Sequence, residues 1–415
     1  MATTLLALGD LHLGRRPSRL PASLQESCSP ARAWERCVEL ALAERVSAVL
    51  LAGDVVDDER DRFEAYALLA AGAERLTAAG IAVVAVAGNH DGHALPRLCE
   101  RLPAVRLLGV GGTWELLTLN DEVELLGWSF PNAHHRQSPA LSQGLETLPP
   151  RTPGRARLGL LHADLDASES PYAPLPRAAA SALPVDALLL GHLHRPDPLT
   201  GTRPLGYLGS VVGLDPSETG AHGPWLVTVD DGAVSLSQRP LGAVRWEERA
   251  LTAPLAGFAS ADDLHEWLQQ HIVAAMDGAD PLLEVLALRL RVVGPVERPL
   301  GPWLNALPVA HLERRRLGRS AVVTDLIDDT RPALDLDALA RQPGPLGILA
   351  GRLLADDAGE PLPDELSAAL TRALAPLGEG RWALPDRAPL DLQLTARRAT
   401  VRLLELLVAQ QRGRS

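Results

Sequence analysis

Five short motifs, each set directly after a run of apolar residues, constrain this chain more than anything else in its sequence. They are Gly9-Asp10-Leu11-His12, Gly53-Asp54-Val55-Val56-Asp57, Gly88-Asn89-His90-Asp91, Leu161-His162-Ala163 and Gly191-His192-Leu193-His194. The runs before them are 4–8, 46–52, 81–87, 158–161 and 187–190, each short enough for a buried strand. Between the first three lie 30–45 and 61–79, where apolar residues recur at helical spacing. Strand–helix–strand alternation predicts an α/β sandwich with buried strands. In such sheets ligands bind beyond the C-terminal strand ends. Five motifs placed there converge on one edge, although about 185 residues separate the first from the last.

The donors assembled this way are Asp10, His12, Asp54, Asn89, His90, His162, His192 and His194. Mn²⁺, Fe²⁺ and Zn²⁺ accept imidazole nitrogen together with carboxylate or amide oxygen. Two such ions about 3.5–4 Å apart activate water and stabilise an in-line phosphoryl displacement. A shared ligand is needed, and a carboxylate can bridge where a neutral imidazole cannot; Asp54 is the natural bridge. Taken singly, each motif also reads as an ordinary turn. All five in order, each after an apolar run, read as one site.

The order Asp-x-His, Gly-Asp-x-x-Asp, Gly-Asn-His-Asp, His, Gly-His-x-His resembles the calcineurin-like metallophosphoesterases. Within them it is most similar to the SbcD-like DNA-repair exonuclease branch and its YhaO-type bacterial members. Ser29-Pro30-Ala31-Arg32-Ala33-Trp34, Gly127-Trp128-Ser129-Phe130-Pro131 and the stretch 209–229 carry the resemblance further. It is strong over 1–240, fair over 245–305 and suggestive beyond. It implies one ion held by Asp10, His12, Asp54 and His194, and a second held by Asp54, Asn89, His162 and His192, with Mn²⁺ the leading candidate metal. His90 would then be the catalytic residue, stabilising the transition state or protonating the leaving oxygen. Asp91 would orient a neighbouring imidazole, His90 or His12. Asp57 reads equally as a second carboxylate of this kind or as an ordinary strand-end residue. Arg15 and Arg16 read equally as donors to substrate phosphates or as solvated loop arginines.

Three regions are expected: a two-metal phosphoesterase (nuclease) domain over 1–240, a small α/β cap over 245–330 and a C-terminal helical region over 331–415. A hairpin turning at Asp230-Asp231-Gly232 finishes the first. Residues 131–157, rich in Pro, Ser and Arg, read as an irregular insertion that leaves His134 and His135 exposed. In the cap, 260–276 reads as a helix with Ser260 as its N-cap, and 286–292 as a half-exposed strand. Two helices follow, near 363–377 and 395–411. The first carries Leu366, Leu370, Ala373, Leu374 and Leu377 as an apolar stripe. The second carries Val401, Leu404, Leu407 and Val408, broadened by Leu403 and Leu406. Such a face suits docking of a partner or packing within the chain.

Net charge is −12, and no lysine occurs, so all 40 basic residues are arginine. Nucleic-acid binding cannot be argued from this balance. The densest basic run, Arg314-Arg315-Arg316 with Arg319, reads as a solvated face or a contact for nucleic acid. Three cysteines without metal-site spacing, and an N-terminus without a signal-peptide pattern, predict a cytoplasmic protein. No apolar run approaches the roughly 20 residues of a membrane span.

The resulting expectation is a metal-dependent DNA nuclease of repair or recombination. The resemblance implies a coiled-coil ATPase of the SbcC or YhaN type as partner, and a homodimeric nuclease core. A small-molecule phosphodiesterase or phosphatase on the same fold is the first alternative. A DNA-end-binding or regulatory subunit is the second. The residues after 245 favour DNA over a small substrate, because a small-molecule enzyme has little need of so long an extension.

Overall fold

A computed structural model describes residues 2–17, 19–57, 62–167, 169–280, 282–374 and 391–412. The chain divides into two compact units. The first comprises Met1–Arg249, Gln269–Arg289 and Val309–Asp325; the second comprises Ala250–Leu268, Leu290–Pro308 and Leu326–Ser415.

The first unit is built on two sheets. Its strands in chain order are β1 (Thr3–Leu8), β2 (Ala48–Ala52), β3 (Ala82–Val86), β4 (Val105–Leu107), β5 (Glu115–Thr118), β6 (Val123–Trp128) and β7 (Ala156–His162). They continue with β8 (Asp164–Leu165), β9 (Pro174–Leu175), β10 (Ala187–Gly191), β11 (Leu205–Tyr207), β12 (Trp225–Asp230) and β13 (Ala233–Gln238). One sheet runs β13-β12-β1-β2-β3-β4 and the other β11-β10-β7-β6-β5, while β8 and β9 pair separately. β1 to β4 are mutually parallel, as are β6, β7, β10 and β11.

The period-2 alternation of a strand explains why these runs are apolar throughout. Leu5, Ala7, Ala48, Leu50, Val84 and Val86 pack inward against Leu125, Leu158, Leu160 and Leu189 of the facing sheet. Their neighbours Leu6, Leu8, Val49, Leu51, Val83 and Ala85 face outward onto Trp34, Val38, Leu69 and Leu76. Those residues belong to the helices Pro30–Glu44 and Arg62–Ala78. Ser29 caps the first of them, its side chain accepting from the Arg32 N–H at 3.2 Å. The β12–β13 hairpin turns where expected, with Asp231 and Gly232 both at positive φ (48° and 77°).

A four-stranded sheet, β14 (Val244–Thr252), β15 (Val285–Val296), β17 (Arg319–Pro332) and β16 (Arg314–Arg316) in that spatial order, follows. The helix Ala261–Asp277 precedes β15. Ser260 accepts from the Asp263 N–H, as an N-cap does. In the second unit, Leu339, Leu346, Ala350, Leu353, Leu404 and Val408 form a small core among the helices Leu336–Ala340, Pro345–Asp357 and Leu392–Arg412. The first two of these helices were not among those expected, since Pro343, Gly344, Pro345 and Gly347 are helix breakers by local rules. Pro345 stands in the first turn of its helix, where a missing N–H costs nothing. The helix near 363–377 spans Asp364–Leu374, and Leu377 lies outside the described residues. Among the described residues, no helix is long and apolar enough to cross a membrane.

Candidate metal centre

Every motif leaves the C-terminal end of a parallel strand. Gly9-Asp10 follows β1, Gly53-Asp54 follows β2, and Gly88 to Asp91 follow β3; His162 ends β7 and Gly191 ends β10. His162 and Gly191 are register partners across β7 and β10, which sets His162 beside His192. Leu13 bridges to Val56 and Gly9 to Ser210, tying the loops together.

The backbone is strained where the donors sit. Asp10 (φ 39°), His12 (φ 48°), Asp54 (φ 46°) and His192 (φ 114°) are non-glycine residues in the region that favours glycine. Such conformations cost on the order of 1–3 kcal/mol each and persist where the surroundings over-determine them. Two glycines are required by close approach. A Cβ on Gly88 would overlap the Asp54 carboxylate, and one on Gly191 would overlap the Ala52 carbonyl.

The donor atoms meet in two groups. His12 Nε2 lies 3.0 Å from His194 Nε2. His162 Nε2 lies 3.0 Å from Asn89 Oδ1, and His192 Nδ1 lies 3.3 Å from both. Asp54 Oδ2 reaches both groups, at 3.3 Å from His162 Nε2 and 3.9 Å from His12 Nε2. Asp10 is a neighbour of His12 and His194 on one side and of Asp54 and His162 on the other. Its carboxylate also accepts from the His192 backbone N–H at 2.9 Å.

These contacts are not self-satisfying. His12 Nδ1 is engaged by Asp57 Oδ1 and His194 Nδ1 by Glu218 Oε1, both at 2.8 Å. Each Nδ1 therefore carries a proton, and with both rings neutral the two Nε2 lone pairs face each other. His162 Nδ1 donates to the Ala52 carbonyl at 3.2 Å, so its Nε2 lone pair faces the Asn89 and Asp54 oxygens. Facing lone pairs repel unless a cation lies between them. Ligand bonds of about 2.0–2.2 Å place neighbouring donor atoms roughly 3.0–3.5 Å apart, the spacing found here. The donor set fits two divalent cations, with Asp54 between them.

Burial sets the charge states. It pushes Asp10 up to about 8, with Asp54 adding to the rise, and takes His162 down to about 4. Asp54 is equally buried, yet His162, His12 and His90 outweigh burial and hold it below the ordinary carboxylate range.

His90 stands apart. Its side chain is 45% exposed, and its Nδ1 donates to the Asp57 carbonyl at 2.9 Å. Its ring meets His12 edge-on at 5.1 Å, and its backbone N–H donates to Asp54 Oδ1. Asp91 corrects the sequence expectation. It orients no imidazole: its carboxylate accepts the backbone N–H groups of Val55, Val56 and Gly88 at 2.7, 3.2 and 2.7 Å, pinning the β2 and β3 loops to each other. Burial, reinforced by Asp54, raises it to about 7. Asp57, for which two readings stood open, is the carboxylate that backs His12.

Glu218 escaped the sequence reading altogether. It sits 24 residues beyond His194, outside any motif, and also accepts from Ser210 Oγ and the Leu214 N–H. Arg15 is half-exposed and its charge acts on both Asp57 and His194; Arg16 is exposed. His134 is exposed, as expected, and stacks on Tyr172, whose ring lies 5.3 Å from that of His192. His135 is half-buried against Trp128. In the basic run, Arg316 pairs with Asp277 and Arg315 with Glu313, while Arg314 and Arg319 donate to backbone carbonyls.

Residues 3–196 match the profile of the calcineurin-like phosphoesterases. The uncharacterized metallophosphoesterase YhaO of Bacillus subtilis is 26% identical over 274 residues, covering 60% of this chain and 62% of that one. The DNA double-strand break repair protein Mre11 of Haloferax volcanii is 31% identical over 255 residues, covering 58% of this chain and 52% of that one. The chain thus spans between half and two thirds of these relatives. A dimetal phosphatase from Danio rerio matches 57% of this chain and 96% of its own at 14% identity, with a TM-score of 0.38. The strand order, the loops that leave it and the profile match agree, and residues 3–196 are a calcineurin-like metallophosphoesterase domain.

Proposed function

We propose that this chain is a metal-dependent DNA nuclease that hydrolyses phosphodiester bonds at a dinuclear centre. Asp10, His12, Asp54 and His194 hold one ion; Asp54, Asn89, His162 and His192 hold the other. The observation that carries this reading is the pair of close donor clusters, His12 with His194 and His162 with Asn89 and His192, joined by one carboxylate. When bound, the ions supply a water of lowered pKa and neutralise charge on the phosphoryl oxygens. The chain does the rest. Asp54 keeps the two positions at bridging distance. Asp57 and Glu218 hold the imidazoles of His12 and His194 in the tautomer that presents Nε2. His90, exposed beside the centre and fixed through Nδ1, presents Nε2 to the leaving oxygen and, as the imidazolium, gives it the Nε2 proton.

DNA is supported as substrate by the similarity to archaeal double-strand break repair proteins and by the chain beyond residue 245. The ion is Mn²⁺ on this reading, and a coiled-coil ATPase is the partner. On the helix Leu392–Arg412, Leu403 and Leu406 are exposed while Leu404 and Val408 are buried, which leaves apolar surface for a partner helix. Purified protein with Mn²⁺ is to be compared on linear duplex DNA, single-stranded DNA and a small phosphodiester. Turnover of DNA well above the small ester is expected. Efficient hydrolysis of the small ester with DNA left intact would transfer the protein to the small-molecule phosphodiesterases.

A further inference from the structure

The two halves of the centre are backed differently. Around His12 and His194, both second ring nitrogens meet carboxylates, Asp57 and Glu218, each at 2.8 Å. Glu218 is itself locked by Ser210 Oγ at 3.2 Å and the Leu214 N–H at 3.0 Å. Around His162 and His192 the backing is weaker. His162 Nδ1 meets a neutral carbonyl, Ala52, at 3.2 Å, and His192 Nε2 stands 3.8 Å from Asp164 Oδ2, beyond hydrogen-bond reach. The third donor there, Asn89, is neutral. Asp54 and Asp10 neighbour both halves, Asp10 Oδ1 lying 3.8 Å from His162 Nδ1. The first half alone gains hydrogen-bonded carboxylates, Asp57 and Glu218, while the second gains only Asp164, at a distance. Arg15 opposes the first half, but it is half-exposed and screened by solvent.

We propose that Asp57 and Glu218 are positioning residues that make the two metal positions unequal. The Asp10–His12–Asp54–His194 position fills first, and the Asn89–His162–His192 position fills second and exchanges its ion. A carboxylate on the far nitrogen fixes an imidazole's tautomer and raises its basicity, and losing one costs typically 10–100-fold in metal affinity. The free divalent-ion level then governs activity through the second position alone. This rests on the two-metal reading proposed above.

The test titrates the metal-stripped full chain with Mn²⁺, following heat and the electron paramagnetic resonance of free Mn²⁺. Two binding events of separate affinity are expected. Glu218→Gln and Asp57→Asn weaken the tighter event by about 10–100-fold and leave the weaker one in place. Glu218→Ala, which also frees the tautomer, weakens it more than Glu218→Gln. Asn89→Ala, which removes a donor facing His162 and His192, removes the weaker event and keeps the tighter one. Melting of each metal-free variant checks that it is folded; the Asn89→Ala arm stands alone if the carboxylate variants are not. Two indistinguishable events, equal weakening of both, or loss of the tighter event in Asn89→Ala would overturn the inequality. Absence of any Mn²⁺ binding would instead overturn the two-metal reading itself.

Discussion

The strand-end loops of the first unit and the terminal helices of the second bury their residues in opposite styles. In the first unit, Asp10, His12, Asp54, Asp91 and His162 are each 2% exposed or less, held by hydrogen bonds that leave little freedom. Among the described residues of the terminal helices, Asp364–Leu374 buries none, and six side chains drawn from three other helices form a small core. Buried polar networks fix geometry, because an unpaired group there is costly. A small apolar core permits exchange of one contact for another. The proposed reaction uses the first arrangement, and the proposed partner contact uses the second.

The largest effect that would break this contrast concerns the ions. Chelation is expected to reduce hydrolysis to background, with Mn²⁺ restoring it; equal activity in excess chelator would remove the chemical role of the strand-end loops. Next, His90→Ala is expected to lower kcat by about 10²–10⁴-fold while two Mn²⁺ still bind, as read by turnover and by metal titration. Unchanged turnover would strip His90 of its role.

In the second unit, Leu404 is fully buried, so Leu404→Ala is expected to cost about 2–5 kcal/mol. Denaturant melting followed by proteolysis of the C-terminal helices would register it, and hydrolysis of a small phosphodiester should survive. Loss of that hydrolysis as well would erase the separation of roles.

A smaller effect follows from Asp10. Its folded value is raised to about 8 against an ordinary 3.8, so its own contribution to the stability of the metal-free protein falls as pH rises between those values. Asp91, raised to about 7, acts in the same direction. Bound cations keep Asp10 ionised and must displace its proton below pH 8. Buried His162, held down to about 4, acts oppositely until pH passes the ordinary imidazole value of 6.5. The Tm of the metal-free protein should therefore fall from pH 7 to pH 8, while the gain in Tm on adding Mn²⁺ should grow. Calorimetry showing the reverse trend would contradict the burial assigned to Asp10. Smallest of all, Leu403→Ser on the exposed face should change stability by no more than about 0.5 kcal/mol. A large loss of Tm would show that this face is already covered within the chain.

Much of the first unit was legible because its signals are local. An apolar run followed by Gly-Asp or Gly-His needs only its own residues to be read as a strand end. The second unit was less legible. Proline and glycine near 343–347 argue for a break by local rules, yet they start a helix whose buried side, Leu346, Ala350 and Leu353, is paired with residues some 50 positions away. Period alone also does not say which of several leucines face inward. Leu403 and Leu404 are neighbours, and only packing separates the exposed from the buried one.

By itself, the sequence determined which donors this protein has and that they come together, since parallel strands deliver their C-terminal ends to one edge. The resemblance that its motifs carry also implied a separate role for His90. Only the tertiary structure decided how those donors are supported: Asp57 and not Asp91 holds His12, Asp91 ties two loops, and Glu218 reaches His194 from outside every motif. The reason is physical. Residue order along a strand is a one-dimensional property, whereas a hydrogen bond joins whichever groups the loops bring within about 3 Å.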